Sequence, residues 1–216
     1  MIDIKNLSFS YNNSKDYILK DINLKIDKGE YVSIIGENGT GKTTLVKLIL
    51  KLLKPTTGSI NINTNNVSYV CQKIDSFNSG FPITVYEVLD IQRKVLKIKD
   101  KSTILNALSS VNMLNYKDSL IGSLSGGQQQ KILIARAIMS KSDLIILDEP
   151  STALDEKSIE DLYTIIKHLN KHHNITILSI EHNIDNALKV SSQILHVKDG
   201  LVKLHSVINN TVDLVR

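Results

Sequence analysis

The sequence has one cysteine, three prolines and no tryptophan in 216 residues. A single thiol, Cys71, excludes an internal disulfide and suits a reducing compartment. No run approaches the roughly 18 consecutive apolar residues that a membrane-spanning helix needs. The opening MIDIKNLSFSY alternates like a strand and lacks the basic-then-apolar pattern of a signal peptide, so the chain is expected to stay in the cytosol. Charge is not concentrated either. The formal net charge of +4 is spread without a polybasic block, too small an excess to argue for a nucleic-acid partner. With no internal repeat and no low-complexity linker, a single domain over residues 1–216 is expected.

Hydrophobic periodicity supplies the architecture. YVSIIG, at 31–36, is a short β-rich run ending in glycine, and the apolar residues from Thr43 to Leu53 recur with helical spacing. Further buried-strand patterns are VSYVCQ from 67, DLIILDEP from 143 and ITILSIEH from 175, with helical patterns near 84–96, 100–113, 126–140 and 155–171. Buried strands alternating with helices predict an α/β domain with a largely parallel sheet. Cleaner alternation around 2–9 and 19–26 predicts a small antiparallel sheet at one side, and Asp199-Gly200 between two strand patterns predicts a hairpin. Residues 73–141 carry helical patterns with little strand and read as an inserted helical subdomain.

Three stretches carry chemistry. GENGTGKTT, Gly36 to Thr44, follows a strand and opens a helix, the context a phosphate-binding loop requires. Gly36, Asn38, Gly39 and Gly41 shape a loop whose backbone amides can curl around a phosphate, with the helix dipole behind them. Lys42 is expected to reach the β- and γ-phosphates, Thr43 to hold a magnesium ion, and Thr44 to add a hydroxyl contact. LIILDEP, 144–150, places Asp148 at a strand end to orient magnesium through water, with Glu149 beyond it to polarise an attacking water. In LSGGQQQK, 124–131, Ser125 can cap a helix. Gly126 and Gly127 cost helix propensity but allow a close approach to the helix N-terminus, where anions bind. Alone, those glycines are equally consistent with a loop that merely opens a helix. His168, His172 and His173 are crowded, but with no carboxylate or cysteine beside them a solvated helix end is the better reading than a metal site.

With these three motifs in this order, the chain resembles the nucleotide-binding domain of ABC ATPases over nearly its full length. The resemblance implies a P-loop NTPase fold of ABC type, hydrolysis of ATP with Mg2+, and a head-to-tail dimer, homodimeric or with a paired ABC ATPase, around two ATP. Ser125, Gly126, Gly127 and Gln128 then cap the ATP held by the phosphate loop of a second subunit. Tyr11 matches the aromatic that stacks on adenine. Gln72 matches the glutamine that contacts magnesium and the reactive water, Asp155 the aspartate that couples the two sites, and His182 the histidine that holds the γ-phosphate. The catalytic group is thus Glu149, His182, Gln72 and Lys42. Two positions depart from the pattern: Cys71 stands where many relatives have proline, and Glu181 and Asn183 flank His182 where Ser and Asp are common.

The same resemblance implies a peripheral subunit on the cytoplasmic face of the membrane, driving a separate integral-membrane permease and, through it, served by an extracytoplasmic solute-binding protein. FPITVYEVL, 81–89, looks like the corresponding segment of zinc and manganese importer ATPases. Thr84 and Glu87 within it have the spacing of a capping box, an independent local reason for those residues. Import of an iron chelate, export, and a non-transport ABC ATPase are the alternatives. The sequence stops soon after the hairpin, so no C-terminal regulatory domain is expected.

Overall fold

Alternation in IDIKNLSF buries Ile2, Ile4, Leu7 and Phe9 on one face of strand β1 (Ile2–Phe9). β1 pairs antiparallel with β2 (Leu19–Ile26) on one side and β4 (Thr57–Ile62) on the other, in the order β2-β1-β4. This computed structural model describes residues 1–13, 16–71 and 82–212.

The second sheet has the order β5-β6-β7-β3-β8-β9, formed by β3 (Tyr31–Ile35), β5 (Val67–Val70), β6 (Leu144–Asp148), β7 (Thr176–Ile180), β8 (Gln193–Lys198) and β9 (Leu201–Ser206). All neighbours are parallel except the β8–β9 hairpin, where Asp199 and Gly200 both take positive φ as its tight turn requires. The strands β3, β6 and β7 are buried at every position because both faces are covered. Leu144 and Ile146 of β6 pack with helix α1 (Lys42–Ile49) and the small sheet, while Ile145 and Leu147 pack with α4 (Gly126–Met139) and α5 (Glu156–His173). Between β5 and β6 lie α2 (Val85–Val95), α3 (Ser102–Ser110) and α4, and α6 (Ile184–Val190) follows β7.

Several elements differ from the expectation. α1 stops at Ile49 rather than near Leu53, because Lys51 adopts φ 58° and the amides of Lys51 and Leu52 turn back to the carbonyls of Leu48 and Lys47. That is a Schellman ending without the glycine that usually announces it. β4 is missing from the expectation because Gly58, Ser59 and Asn61 dilute its β-formers; it lies along β1 with Ile60 and Ile62 opposite Ile4 and Ile2. Strand β5 ends at Val70. Helix α6 has only seven residues, capped by Asn183, too short for its period to stand out. At the end of α5, His168 stacks on His172 with ring centroids 4.5 Å apart, and the three histidines are exposed, in agreement with a solvated helix end.

Candidate nucleotide-binding and catalytic site

The site begins where β3 leaves the sheet. The loop after Ile35 turns back into α1, and Gly41 precedes the helix with φ 103°, a conformation that L side chains rarely adopt; a Cβ there would also press on Ile18 and Leu19 at 3.0 Å. A cavity of about 270 Å³ opens over this turn, with Asn38, Gly39, Gly41, Lys42, Thr43 and Thr44 at its base and Tyr11, Ile18 and Glu149 as walls. Lys42 folds over the loop, its ammonium donating to the carbonyls of Gly36 and Glu37 at 2.8 Å each. Burial lowers its proton affinity, against the carboxylate of Glu149, which raises it. An anion entering the cavity would meet a cation already aimed at the loop. The Tyr11 ring is half exposed, set edge-on against Phe9 at 5.0 Å, with its hydroxyl 3.4 Å from that of Thr44.

Two carboxylates stand at the end of β6. Asp148 shares the face of Leu144 and Ile146, toward α1, and its Oδ2 accepts a 2.7 Å hydrogen bond from the hydroxyl of Tyr69. Burial, then that hydrogen bond, pushes the Tyr69 phenol well above its ordinary range. Glu149 leaves the strand with φ 50°, a left-handed conformation that is uncommon for a glutamate and turns its side chain out of the sheet. Its Oε1 lies 2.6 Å from Nε2 of His182, just beyond β7, and its Oε2 accepts from the Thr152 hydroxyl at 3.3 Å. A carboxylate in contact with an imidazole and lining the cavity above the phosphate loop can take up and pass on a proton.

The remaining candidates lie elsewhere. Ser125 caps α4 in a reciprocal box with Gln128, Oγ accepting from the Gln128 amide at 3.3 Å and the Gln128 side chain accepting from the Ser125 amide at 2.9 Å. Asp155 caps α5, accepting from the amide and hydroxyl of Ser158 at 2.9 and 2.7 Å; these bonds hold its carboxyl below the usual range. The two glycines separate on structural grounds. A Cβ on Gly127 would meet the Ser158 side chain at 2.8 Å, so packing alone demands a glycine, whereas one on Gly126 would find, among the described residues, Leu154 at an ordinary 3.5 Å. None of Ser125, Gly126, Gly127, Gln128 or Asp155 lines the cavity of their own chain. Gln72 and Phe81 lie outside the described residues; Thr84 and Glu87 form the expected capping box at α2.

Sequence reasoning missed Ile18 as a cavity wall and Tyr69 as the partner of Asp148. Ile18 carries no chemical signature. Tyr69 could have been found, since the parallel register sets it opposite Ile146, two residues before Asp148 and on the same face.

A phosphate-binding loop after the central strand β3, an aspartate ending β6 on the far side of β7, and a glutamate–histidine pair beyond these strands define a P-loop nucleoside triphosphatase. The comparisons carry this further. Residues 19–152 match the family described as ABC transporter. A probable metal transport system ATP-binding protein of Treponema pallidum is 44% identical over 91% of this chain and 82% of its own. A high-affinity zinc uptake system ATP-binding protein of Bacillus subtilis is 36% identical, covering 93% and 92%. Among solved structures, an inward-facing putative metal-chelate type ABC transporter matches with a TM-score of 0.85 at 29% identity, over 95% of this chain and 83% of the other. A dimeric ATP-binding cassette bound to ADP and Pi matches at 0.78 and 28%, over 97% and 100%. The chain belongs to the ABC transporter family and is an ABC-type ATPase.

Proposed function

We propose that this ATPase dimerises head to tail around two ATP and drives a membrane permease that imports a divalent metal, zinc or manganese. The observation behind the shared site is that the cavity has its own phosphate loop, glutamate and histidine, while Ser125 and Gly126 sit at a helix start outside it with room for an incoming group. Lys42 binds the β- and γ-phosphates from below, Tyr11 stacks on the base, and Ser125, Gly126, Gly127 and Gln128 of a second subunit close the γ-phosphate from above. Glu149 orients the attacking water and accepts its proton; His182 holds the γ-phosphate and the Glu149 carboxylate in register. Asp155, at the start of α5, reports across the dimer. Thr43 and Asp148 are hard oxygen donors of the kind Mg2+ takes in company with phosphates and water, and Gln72 would join them. Bound Mg2+ would neutralise phosphate charge.

Helices α2, α3 and α4 form the helical subdomain of 73–141, through which the permease is engaged on the cytoplasmic face, with an extracytoplasmic solute-binding protein delivering the metal. No helix among the described residues is long and apolar enough to cross a membrane. Metal as cargo rests on the relatives named for metal or zinc transport. The test of cargo is elemental analysis of source cells carrying Glu149→Gln under metal limitation. A selective fall in zinc or manganese is expected; a fall confined to iron would move the assignment to a chelate importer, and no change would remove metal import. The shared site is tested by light scattering: Glu149→Gln should dimerise with ATP, and adding Ser125→Arg should abolish this. Monomers for Glu149→Gln with ATP would refute it.

A further inference from the structure

Beneath the Glu149–His182 pair lies a carboxylate the mechanism above does not use. Glu181 is 1% exposed. Side chains alternate along β7, so Ser179 and Glu181 face α5 together with Tyr31 of β3. The Glu181 carboxylate accepts one hydrogen bond from the Ser179 hydroxyl and another, at 2.6 Å, from the hydroxyl of Tyr163 on α5. The Tyr163 oxygen also interacts with Ser151, in the segment that joins Glu149 to Asp155. Tyr31 is fully buried beside them, with the Ser179 side chain near its hydroxyl.

The Tyr163 phenol thus bonds the residue before His182 and faces Ser151 in the segment after Glu149, from a helix that Asp155 caps. Tyr163 lies eight residues beyond Asp155, two turns or roughly 12 Å along the helix axis. Desolvation penalises an isolated carboxylate in such a place, and simple packing would favour an apolar side chain. We propose that Glu181 is a positioning residue for ATP hydrolysis: through Tyr163 it fixes the end of β7, and so the imidazole of His182, to the helix that starts at Asp155. The inference rests on the assignment of His182 and Glu149 to the reacting phosphate and names what holds them.

The titratable groups facing Glu181 are Tyr163 from α5, Tyr31 from β3, and His182 and Glu149 at the strand ends. Burial outweighs the two hydroxyl donors and His182, and the carboxyl is pushed up to about 7. Its ionised form takes the two hydroxyl hydrogen bonds as charge-assisted ones, the stronger kind, so the clamp tightens as pH rises through that value.

The experiment is steady-state ATP hydrolysis by the purified full chain from pH 5.5 to 8.5 for the wild type and for Glu181→Ala, Glu181→Gln and Tyr163→Phe. Glu181→Ala is expected to lower kcat about tenfold at pH 8 with the KM for ATP within about twofold. Glu181→Gln, which keeps an acceptor for Tyr163, should restore most of that loss while removing the rise in kcat across pH 7. Tyr163→Phe should resemble Glu181→Ala, and combining the two should add little further loss. A pH profile unchanged by Glu181→Gln, or kcat losses that multiply in the double variant, would overturn the proposal. His182→Ala and Glu149→Gln are measured alongside. If they retain wild-type turnover, the assignment of the reacting groups has failed; if they are inactive while Glu181→Ala is not, only the positioning role has failed.

Discussion

Replacing Glu181 by glutamine should change the pH dependence of folding stability in one direction and by a calculable amount. In the fold the carboxyl titrates at about 7, against an ordinary value of 4.5. The unfolded chain therefore releases its proton first as pH rises. Between those two values the folded state binds more protons than the unfolded state, and stability falls with increasing pH. At about 1.4 kcal/mol per tenfold difference in proton affinity, the loss amounts to roughly 1 kcal/mol at pH 5 and roughly 3 kcal/mol at pH 8. Glutamine does not titrate and has nearly the same shape. Any fixed cost of turning its amide nitrogen toward a hydroxyl cancels when one pH is compared with another. Relative to the wild type, Glu181→Gln should gain on the order of 2 kcal/mol in going from pH 5 to pH 8, which at this chain length moves the Tm difference by about 4–8 °C in its favour. Thermal or urea unfolding of both proteins at the two pH values measures it. Parallel curves, with the same difference at pH 5 and pH 8, would refute a buried carboxylate forced to ionise in the fold.

Gly127→Ala should destabilise by about 1–3 kcal/mol through overpacking against Ser158, and in a Ser158→Gly background the same substitution should cost much less in urea unfolding. Gly126→Ala should leave the fold as stable or slightly more so, since the methyl has room and alanine favours helix; in a Glu149→Gln background it should still weaken ATP-driven dimerisation several-fold, by light scattering across protein concentration. An unimpaired dimer would mean that nothing approaches Gly126 closely. Lys42→Ala should lower ATP affinity at least about tenfold by calorimetry, the loss of a charge-assisted contact worth roughly 1.5–3 kcal/mol; equal affinities would exclude Lys42 from the phosphates.

The phosphate loop was legible because its function constrains adjacent residues: glycines, a lysine and a hydroxyl must follow one another within a single strand-to-helix turn, and Gly36 to Thr44 do so. The alternation of β3, β6 and β7 with the intervening helices was legible for a similar reason, since a strand covered on both faces is a continuous apolar run. The strand β4 and the end of α1 were not. One owes its existence to the edge of β1, and the other to a left-handed lysine that could as well have continued a helix.

By itself the sequence determined the chemistry available and the order of its parts, Lys42, Ser125, Asp148, Glu149 and His182 on an α/β frame, because motif and period are local properties. Tertiary structure alone decided which of them meet. It brought Glu149 to 2.6 Å from His182, 33 residues later in the chain, and gave Asp148 the hydroxyl of Tyr69. It showed Gly127 to be required by packing and Gly126 free of that demand. It enclosed Glu181 between two hydroxyls beside the Glu149–His182 pair. These pairings follow from the parallel register of β5, β6, β7 and β3 and from the helix laid across them, and register is set by contacts between segments far apart in the chain.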